Sequence, residues 1–323
     1  MSLWENKFIK PMLAFSSKPF NSKDFLFEIK FDGTRTIAYI DRANENVRFL
    51  NRRMVYFEKR YPELEIWKDV QGEKVILDGE IVVFEKGKPN FYKLEEREQV
   101  EDEERIEILS KLYPATFIAF DILHLNGKDL VDLPLVERKR VLEDVVRESE
   151  RILISRYILE NGERFFEEVI KKGLEGIVAK KLDSKYEIGK RSKEWLKIKN
   201  LKRIDVVVVG YTTGIGKRED FGSLVGAVYD KGKLRYIGKI GTGFDENDIK
   251  MLLEKFKNLR IENCPLEKEP DLKLHSKRKV VWLKPELIVE VEFLEFTKEF
   301  MLRAPSFIRI REDKMKEDCT LDF

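Results

Sequence analysis

A lysine amine becomes a nucleophile once it is neutral. The stretch Glu28-Ile29-Lys30-Phe31-Asp32-Gly33-Thr34-Arg35 sets one where that can be arranged. An apolar strand stops at Lys30, a glycine turn follows, and an arginine comes next. In a pocket, desolvation and neighbouring cations lower an amine from its free value of about 10.4. The ordinary alternative is a β-turn with Asp32-Gly33 at its corner and Lys30 in solvent. Fixing Lys30, Asp32, Gly33 and Arg35 at average residue usage gives a chance match in roughly one chain of this length in several hundred.

Further chemistry-bearing residues follow in order. Leu77-Asp78-Gly79-Glu80 ends a strong strand with a carboxylate at a turn, and Phe120-Asp121 puts an aromatic at the end of another. Glu175-Gly176-Ile177-Val178-Ala179-Lys180 offers a second turn carboxylate. In Trp195-Leu196-Lys197-Ile198-Lys199, the period-two spacing of a strand sends Lys197 and Lys199 to one face and Leu196 and Ile198 into the core. Two cations on one face make a phosphate cradle. Each residue alone has an ordinary reading, as turn acid, core aromatic or wet lysine; the ordered set does not.

The elements that must position these groups are legible as short apolar runs: Phe25 to Lys30, Thr36 to Ile40, Val47 to Leu50, Val75 to Phe84 and Phe117 to Ile122 as strands. Helices are expected near Phe57 to Leu64, Glu95 to Leu112 and Leu135 to Ser149. The regular βαβ alternation of a dinucleotide fold is missing. After a Lys-Asn-Leu-Lys-Arg connector at Lys199 to Arg203 the texture turns to glycine-punctuated strands, at Val206 to Val209, Leu224 to Tyr229, Leu234 to Ile240 and Leu287 to Phe293. In the last, Val289, Val291 and Phe293 alternate with Glu290 and Glu292, predicting one buried face and one wet face. A small β-barrel is expected there, with one amphipathic helix through Ile249, Leu252, Leu253 and Phe256 and Asp245 as its N-cap.

The chain has 323 residues, 42% hydrophobic, which excludes a disordered protein and suits two cores. Its 62 Lys plus Arg against 60 Asp plus Glu leave a charge of +2, so net charge names no partner. Locally, Lys180 to Arg203 carries ten basic and three acidic residues, the footprint of a phosphate backbone, or else a solvated surface. The acidic stretch Glu95 to Glu107 reads as a solvated helix face and should point away from any bound polyanion. No apolar stretch reaches the ~20 residues of a bilayer span, and Met1 to Lys10 has no signal-peptide pattern, which predicts a soluble intracellular protein without membrane partners. Two cysteines, Cys264 and Cys319, and two histidines leave any metal to carboxylates. The scarcity of Gln beside abundant Lys, Glu and Arg matches proteins of hot environments.

Taken together these residues resemble the covalent nucleotidyltransferase superfamily, and within it the ATP-dependent DNA ligases, over nearly the whole chain. Lys30-x-Asp32-Gly33-x-Arg35 looks like the nucleophile motif and Arg52 like the next. Asp78-Gly79-Glu80, Phe120-Asp121, Glu175-Gly176-Ile177-Val178-x-Lys180 and Lys197-Ile198-Lys199 resemble those after it. Arg311-Glu312-Asp313-Lys314 looks like the last. Ser184-x-Tyr186-x-x-Gly189-x-Arg191-Ser192, Phe221 to Leu224, Gly238 to Phe244 and Leu302 to Phe307 bring it nearest the ligase module of prokaryotic (bacterial and archaeal) end-joining ligases. It departs in carrying Phe296-Thr297 and Phe300 where that group usually has Trp-Thr and Gly, and no polymerase or phosphoesterase module is expected within these 323 residues.

The resemblance implies an α+β fold: a nucleotidyltransferase (adenylation, ATP-grasp-like) domain over 1–200, then an OB-fold β-barrel over 201–323. It implies nick sealing through a lysyl-AMP at Lys30 and a DNA-adenylate, in repair or end joining, with ATP and Mg²⁺ (or Mn²⁺). Phe120 would stack on adenine and Glu28 accept from its exocyclic amine; Arg35 and Glu80 would meet the ribose, and Arg52 the nucleotide or nick phosphate. Lys180, Lys197, Lys199 and Arg191 would serve the nucleotide and its phosphates, Glu80, Glu175 and Asp32 the metal. Arg311 and Lys314 would close over the β and γ phosphates with the barrel, using the connector as hinge. The implied partner is nicked duplex DNA, bound by a monomer near the nucleoid, with the end-binding protein Ku as companion. Because Lys30 lies so near the start, no N-terminal DNA-binding domain is expected. The rival readings are an RNA ligase or mRNA guanylyltransferase, against which Glu28 and the C-terminal agreement weigh, and a non-catalytic OB-containing DNA-binding protein. An NAD-dependent ligase would need zinc cysteines that are not here.

Overall fold

The computed structural model describes residues 2–215 and 219–321. The chain forms two compact units, Met1–Lys199 and Asn200–Phe323. Among the described residues the first unit holds two sheets. One runs Asn46–Asn51, Thr34–Asp41, Lys74–Glu85, Ala115–Leu125 and Lys128–Asp129, with Lys88–Pro89 and Ile152–Ile154 added at its sides. The other runs Leu13–Ser16, Arg191–Lys199, Gly176–Lys181, Ser22–Ile29 and Tyr157–Glu160.

The central strands read as nearly continuous apolar runs because both of their faces are covered. In Lys74–Glu85, Val75, Leu77, Ile81 and Val83 enter one core, while Ile76 enters a second on the opposite face. Thr34–Asp41 divides likewise, Ala38 and Ile40 to the first core and Ile37 and Tyr39 to the second. That second core also takes Phe120, Tyr186 and Trp195. Behind the five-stranded sheet, Phe27, Ile177, Ala179 and Ile198 pack with Val169 of the helix Gly162–Lys171. Full burial of each such aliphatic or aromatic side chain stabilises the fold by about 1.5–3 kcal/mol.

Two helical expectations are corrected. Phe57 to Leu64 holds only a 3-10 turn, Glu58–Arg60, because Pro62 disfavours helical geometry at Tyr61 and cannot donate within a helix. Glu95 to Leu112 is two helices, Phe91–Glu98 and Glu103–Leu112. Asp102 breaks the run by capping the second, its side chain accepting from Arg105 N. The third expected helix is Leu135–Val145.

The second unit is built on one six-stranded sheet among the described residues, ordered Lys233–Ile240, Ser223–Asp230, Lys202–Thr212, Val280–Phe293 and Arg260–Ile261, with Ser306–Ile310 also paired to Val280–Phe293. Its long strands bury both faces: Val206 and Val208 point into one core, Val207 and Val209 into another. Glu290 therefore differs from its expected wet position, being 8% exposed and paired with Arg203 and Arg309. The helix Glu246–Phe256 starts at Asp245, which exchanges side-chain and backbone bonds with Asp248. No helix is long and apolar enough to cross a membrane among the described residues.

Candidate active site

The strand Ser22–Ile29 delivers Lys30 to the edge of a cavity of about 750 Å³, all of whose lining residues belong to the first unit. The backbone N–H of Lys30 donates to Gly176 O at 2.9 Å, tying the lysine to the turn that carries Glu175. Gly176 has φ +148°, and a Cβ there would lie 2.1 Å from Ile198 O, so the turn takes no side chain. Glu175 consequently reaches two lysines: Oε2 lies 2.6 Å from Lys30 Nζ and Oε1 2.8 Å from Lys199 Nζ. Burial would raise the Glu175 carboxyl, but Lys30 and Lys199 outweigh it and hold the group below the usual carboxylate range.

Glu80 comes from the neighbouring sheet, paired in register with Arg35. Gly33 makes room for it, since a Cβ at that position would lie 2.3 Å from Ile81 O and 2.9 Å from Glu80 Cγ. Burial pushes the Glu80 carboxyl up to about 7 against the pull of Lys30 and Arg35. Arg35 is fixed by Asp78, donating from Nε and Nη2 at 2.6 Å each, and the Tyr186 hydroxyl donates to the same carboxylate. Burial would lower the Arg35 guanidinium; Asp78 keeps it above its ordinary value.

At the aromatic end, Phe120 and Trp195 meet edge to face, and Lys180 Nζ lies 4.1 and 4.3 Å from their ring centroids. Arg35 Cζ lies 4.3 Å from the Phe120 centroid. Burial brings the Lys180 ammonium down to about 8, offset in part by Glu28, whose Oε2 is 2.6 Å away. Trp195 lines the cavity, yet its indole N–H is buried without a hydrogen-bond partner among the described residues. Lys197, Arg191 and Arg52 complete a cationic wall. Burial, then Lys199 and Arg191, lowers the Lys197 ammonium.

The structure thus gathers Glu28, Lys30, Arg35, Arg52, Glu80, Phe120, Lys180, Arg191, Lys197 and Lys199 around one cavity. Several expectations change. Of the three expected metal supports, Glu80 lines the cavity, Glu175 is paired with its two lysines and Asp32 is not among the lining residues; no group of three His/Cys/Asp/Glu side chains that could hold an ion by itself occurs among the described residues. Glu28 is not a free acceptor but is already held on both oxygens, by Lys139 and Lys180. The acidic segment does not all face away: Glu95 and Glu98 line the same cavity, and Arg97 is buried against Glu63 and the carbonyls of Arg60 and Tyr113. The basic stretch is not one free stripe, for Lys180 is buried and Lys181, Lys185 and Lys190 have acidic partners. Arg311 and Lys314 belong to the second unit, where Arg311 is held by Asp205 at 2.8 Å and by Asp313 through two bonds of 2.9 Å.

Sequence reasoning missed Lys139 and the cavity-side role of Trp195. The strand periodicity already held the second: Trp195 shares parity with Lys197 and Lys199. For Lys139 the signal was helical, as Leu135, Arg138, Lys139 and Leu142 recur at i, i+3, i+4 and i+7, placing two cations on the buried stripe.

Comparison with known proteins gives one family. Residues 11–199 match the ATP dependent DNA ligase domain and residues 217–314 the ATP dependent DNA ligase C terminal region. A DNA ligase of Thermococcus fumicolans is 32% identical over 336 residues, covering 96% of this chain and 57% of that protein. The multifunctional non-homologous end joining protein LigD of Pseudomonas aeruginosa is 31% identical, over 97% of this chain and 36% of its own length. The chain spans a little over half the length of the archaeal relative. The crystal structure of the ligase domain from M. tuberculosis LigD aligns over 100% of both chains with a TM-score of 0.53 and 26% identity.

Proposed function

This chain belongs to the ATP-dependent DNA ligases, and from that premise we propose that it seals 5′-phosphate/3′-hydroxyl nicks in duplex DNA with ATP. The observation that carries the proposal is Lys30 at the cavity edge, linked through Glu175 to Lys199 and facing a wall of further cations. Lys30 Nζ, after releasing its ammonium proton to solvent, attacks the α-phosphorus of ATP, the P–O bond to pyrophosphate breaks, the proton displaced from the attacking nitrogen leaves with pyrophosphate, and a phosphoramidate to AMP remains. The AMP passes to the 5′-phosphate of the nick, and the 3′-hydroxyl attacks that phosphate and displaces AMP.

Lys197, Lys199 and Arg191 neutralise phosphate charge, and little covalent chemistry beyond Lys30 is needed. Glu175 is the nearest base to the nucleophile, but held ionised by two lysines it orients Nζ rather than storing a proton. Phe120 supplies a stacking face, Glu28 an acceptor, and Arg35 and Glu80 contacts to the ribose; Arg52 reaches the nucleotide or nick phosphate. A carboxylate keeps lone pairs beyond those two ammonium groups use, so Glu28 can still take the amine of adenine. A divalent ion fits the donor set, since Mg²⁺ takes one or two carboxylates with waters and phosphates rather than a protein cage. Glu80, a cavity carboxylate with no hydrogen bond among the described residues, would hold it, with Glu175 nearby, and the ion would supply charge neutralisation at the phosphates. Arg311 and Lys314 serve the β and γ phosphates once Arg311 exchanges Asp205 and Asp313 for them.

Nick sealing of a labelled duplex with ATP, beside GTP and beside an all-RNA nick, tests this reading; sealing with GTP, or of RNA alone, would replace it with a capping or RNA ligase reading. Nick affinity is expected to fall at least about tenfold between 50 and 200 mM salt and to ignore flanking sequence. A flat salt response would remove the phosphate-backbone interface. We place the activity in repair or end joining in a prokaryotic cell, near the nucleoid, as a monomer; binding to purified Ku by ultracentrifugation tests that partner.

The two shifted groups set a pH window. Glu80 is neutral below about 7 and charged above it, whereas Lys180 is charged below about 8 and neutral above. The kcat/KM of self-adenylation should therefore rise through 7 and fall through 8. Glu80→Gln should remove the acid limb and Lys180→Arg the basic one. An acid limb that survives in Glu80→Gln assigns it to another group.

A further inference from the structure

Glu28 is 2% exposed, and the two ammonium groups that hold it differ in what else they touch. Lys180 lines the cavity beside Phe120 and Trp195. Lys139, 1% exposed, is not on the cavity wall; it approaches Glu28 Oε1 from the helix Leu135–Val145, with Tyr157 beside it at 5.6 Å from ring centroid to Nζ. Its neighbour Arg138 grips Asp121 through Nε at 2.8 Å and Nη2 at 2.9 Å, and Asp121 follows Phe120 in the strand Ala115–Leu125. One helix thereby holds both strands that bring Glu28 and Phe120 to the nucleotide end of the cavity.

Resting on the ligase reading, we propose that Lys139 is the positioning residue that sets base choice: by fixing Glu28 Oε1 from behind, it holds the carboxylate as an oriented acceptor for the 6-amino group of adenine and against the 6-carbonyl of guanine. A carboxylate gripped on both oxygens cannot turn. With Lys139 gone, Oε1 loses its partner and the carboxylate is free to turn from its aim, so that the contact adenine makes and guanine cannot is weakened. Discrimination by a buried hydrogen-bonding group depends on that rigidity, since an analogue is rejected only if it leaves a fixed polar group unpaired.

The test measures ATP and GTP binding without divalent cation by calorimetry, together with the rate and KM of adenylate gain by intact mass, for the wild-type protein, Lys139→Met and Lys139→Arg. The wild type should prefer ATP at least about 100-fold. Lys139→Met should cut that ratio tenfold or more through weaker ATP binding, with kcat of adenylation within threefold, and Lys139→Arg should restore most of it. Should Lys139→Met fail to fold in a denaturant melt, Lys139→Gln, which keeps a donor but no charge, is read by the same ratio. An unchanged ATP:GTP ratio in a folded Lys139→Met or Lys139→Gln protein, or an equal loss for both nucleotides, overturns the proposal. Binding of ATP without any adduct in the wild type would overturn the ligase reading alone, because the binding ratio still decides Lys139. No preference in the wild type overturns the proposal outright.

Discussion

Lys30→Ala protein incubated with ATP and Mg²⁺ should show no adenylate in its intact mass, while the wild type gains one, and nick sealing with ATP should fall at least about 10³-fold. Among the described residues the other lysines of this region are placed otherwise: Lys199 Nζ faces the opposite oxygen of Glu175, and Lys197 lies in the cationic wall. The covalent task of Lys30 ends once AMP has moved to DNA. The variant should accordingly still close a nick supplied with pre-adenylated 5′ ends, faster than it closes an ordinary nick with ATP. Loss of both activities would mean that Lys30 supports the site rather than performing the attack. A wild-type protein that gains no mass should first be treated with pyrophosphate, since a preparation already carrying AMP would then lose it.

The largest effect on stability is expected at Arg138. It and Asp121 are both fully buried, and Arg138 also donates to Ser184 O at 2.9 Å and to Leu133 O. Arg138→Met leaves an uncompensated carboxylate in the core, which costs about 3–5 kcal/mol. In urea melts the midpoint should move down accordingly, with no change in slope. Asp121→Leu with Arg138→Met should recover part of the loss, because two apolar groups need no partners; the two carbonyls left without a donor keep the double variant below the wild type. A single variant within about 1 kcal/mol of the wild type would show that water or a neighbour replaces the guanidinium.

Much of the nucleotide end was legible because strands write their chemistry at period two. Lys197 and Lys199 share a face by parity, and Lys30 follows a strand whose Phe27 and Ile29 had to go inward. Asp78 and Asp121 were visible as motif letters but not as what they are in the fold, buried carboxylates clamped by Arg35 and by Arg138. Their partners lie 43 and 17 positions away, beyond any local period. Lys139 was hidden for a different reason. Charged letters in a helix are ordinarily read as its wet side, and only the carboxylate of a strand 111 residues distant makes its burial tolerable. The acids at turns were legible as letters, but not that the fold pairs Glu175 with two lysines and leaves Asp32 out of the cavity lining.

The pairing of Ser22–Ile29 with Gly176–Lys181 sets Val178 opposite Glu28 and Ile177 opposite Ile29, and continues into the bond from Lys30 N to Gly176 O. The active centre is consequently written in a binary phase. Glu28 and Lys30 are present together or absent together, since a strand offers its even-numbered and odd-numbered side chains to opposite sides. Substitutions can vary the letters one by one and leave the phase intact. A single inserted or deleted residue between Phe25 and Glu28 would instead invert it, presenting hydrocarbon to the cavity and turning both charges into the apolar cluster behind the sheet. Length in this short segment should therefore tolerate far less change over evolutionary time than its composition does.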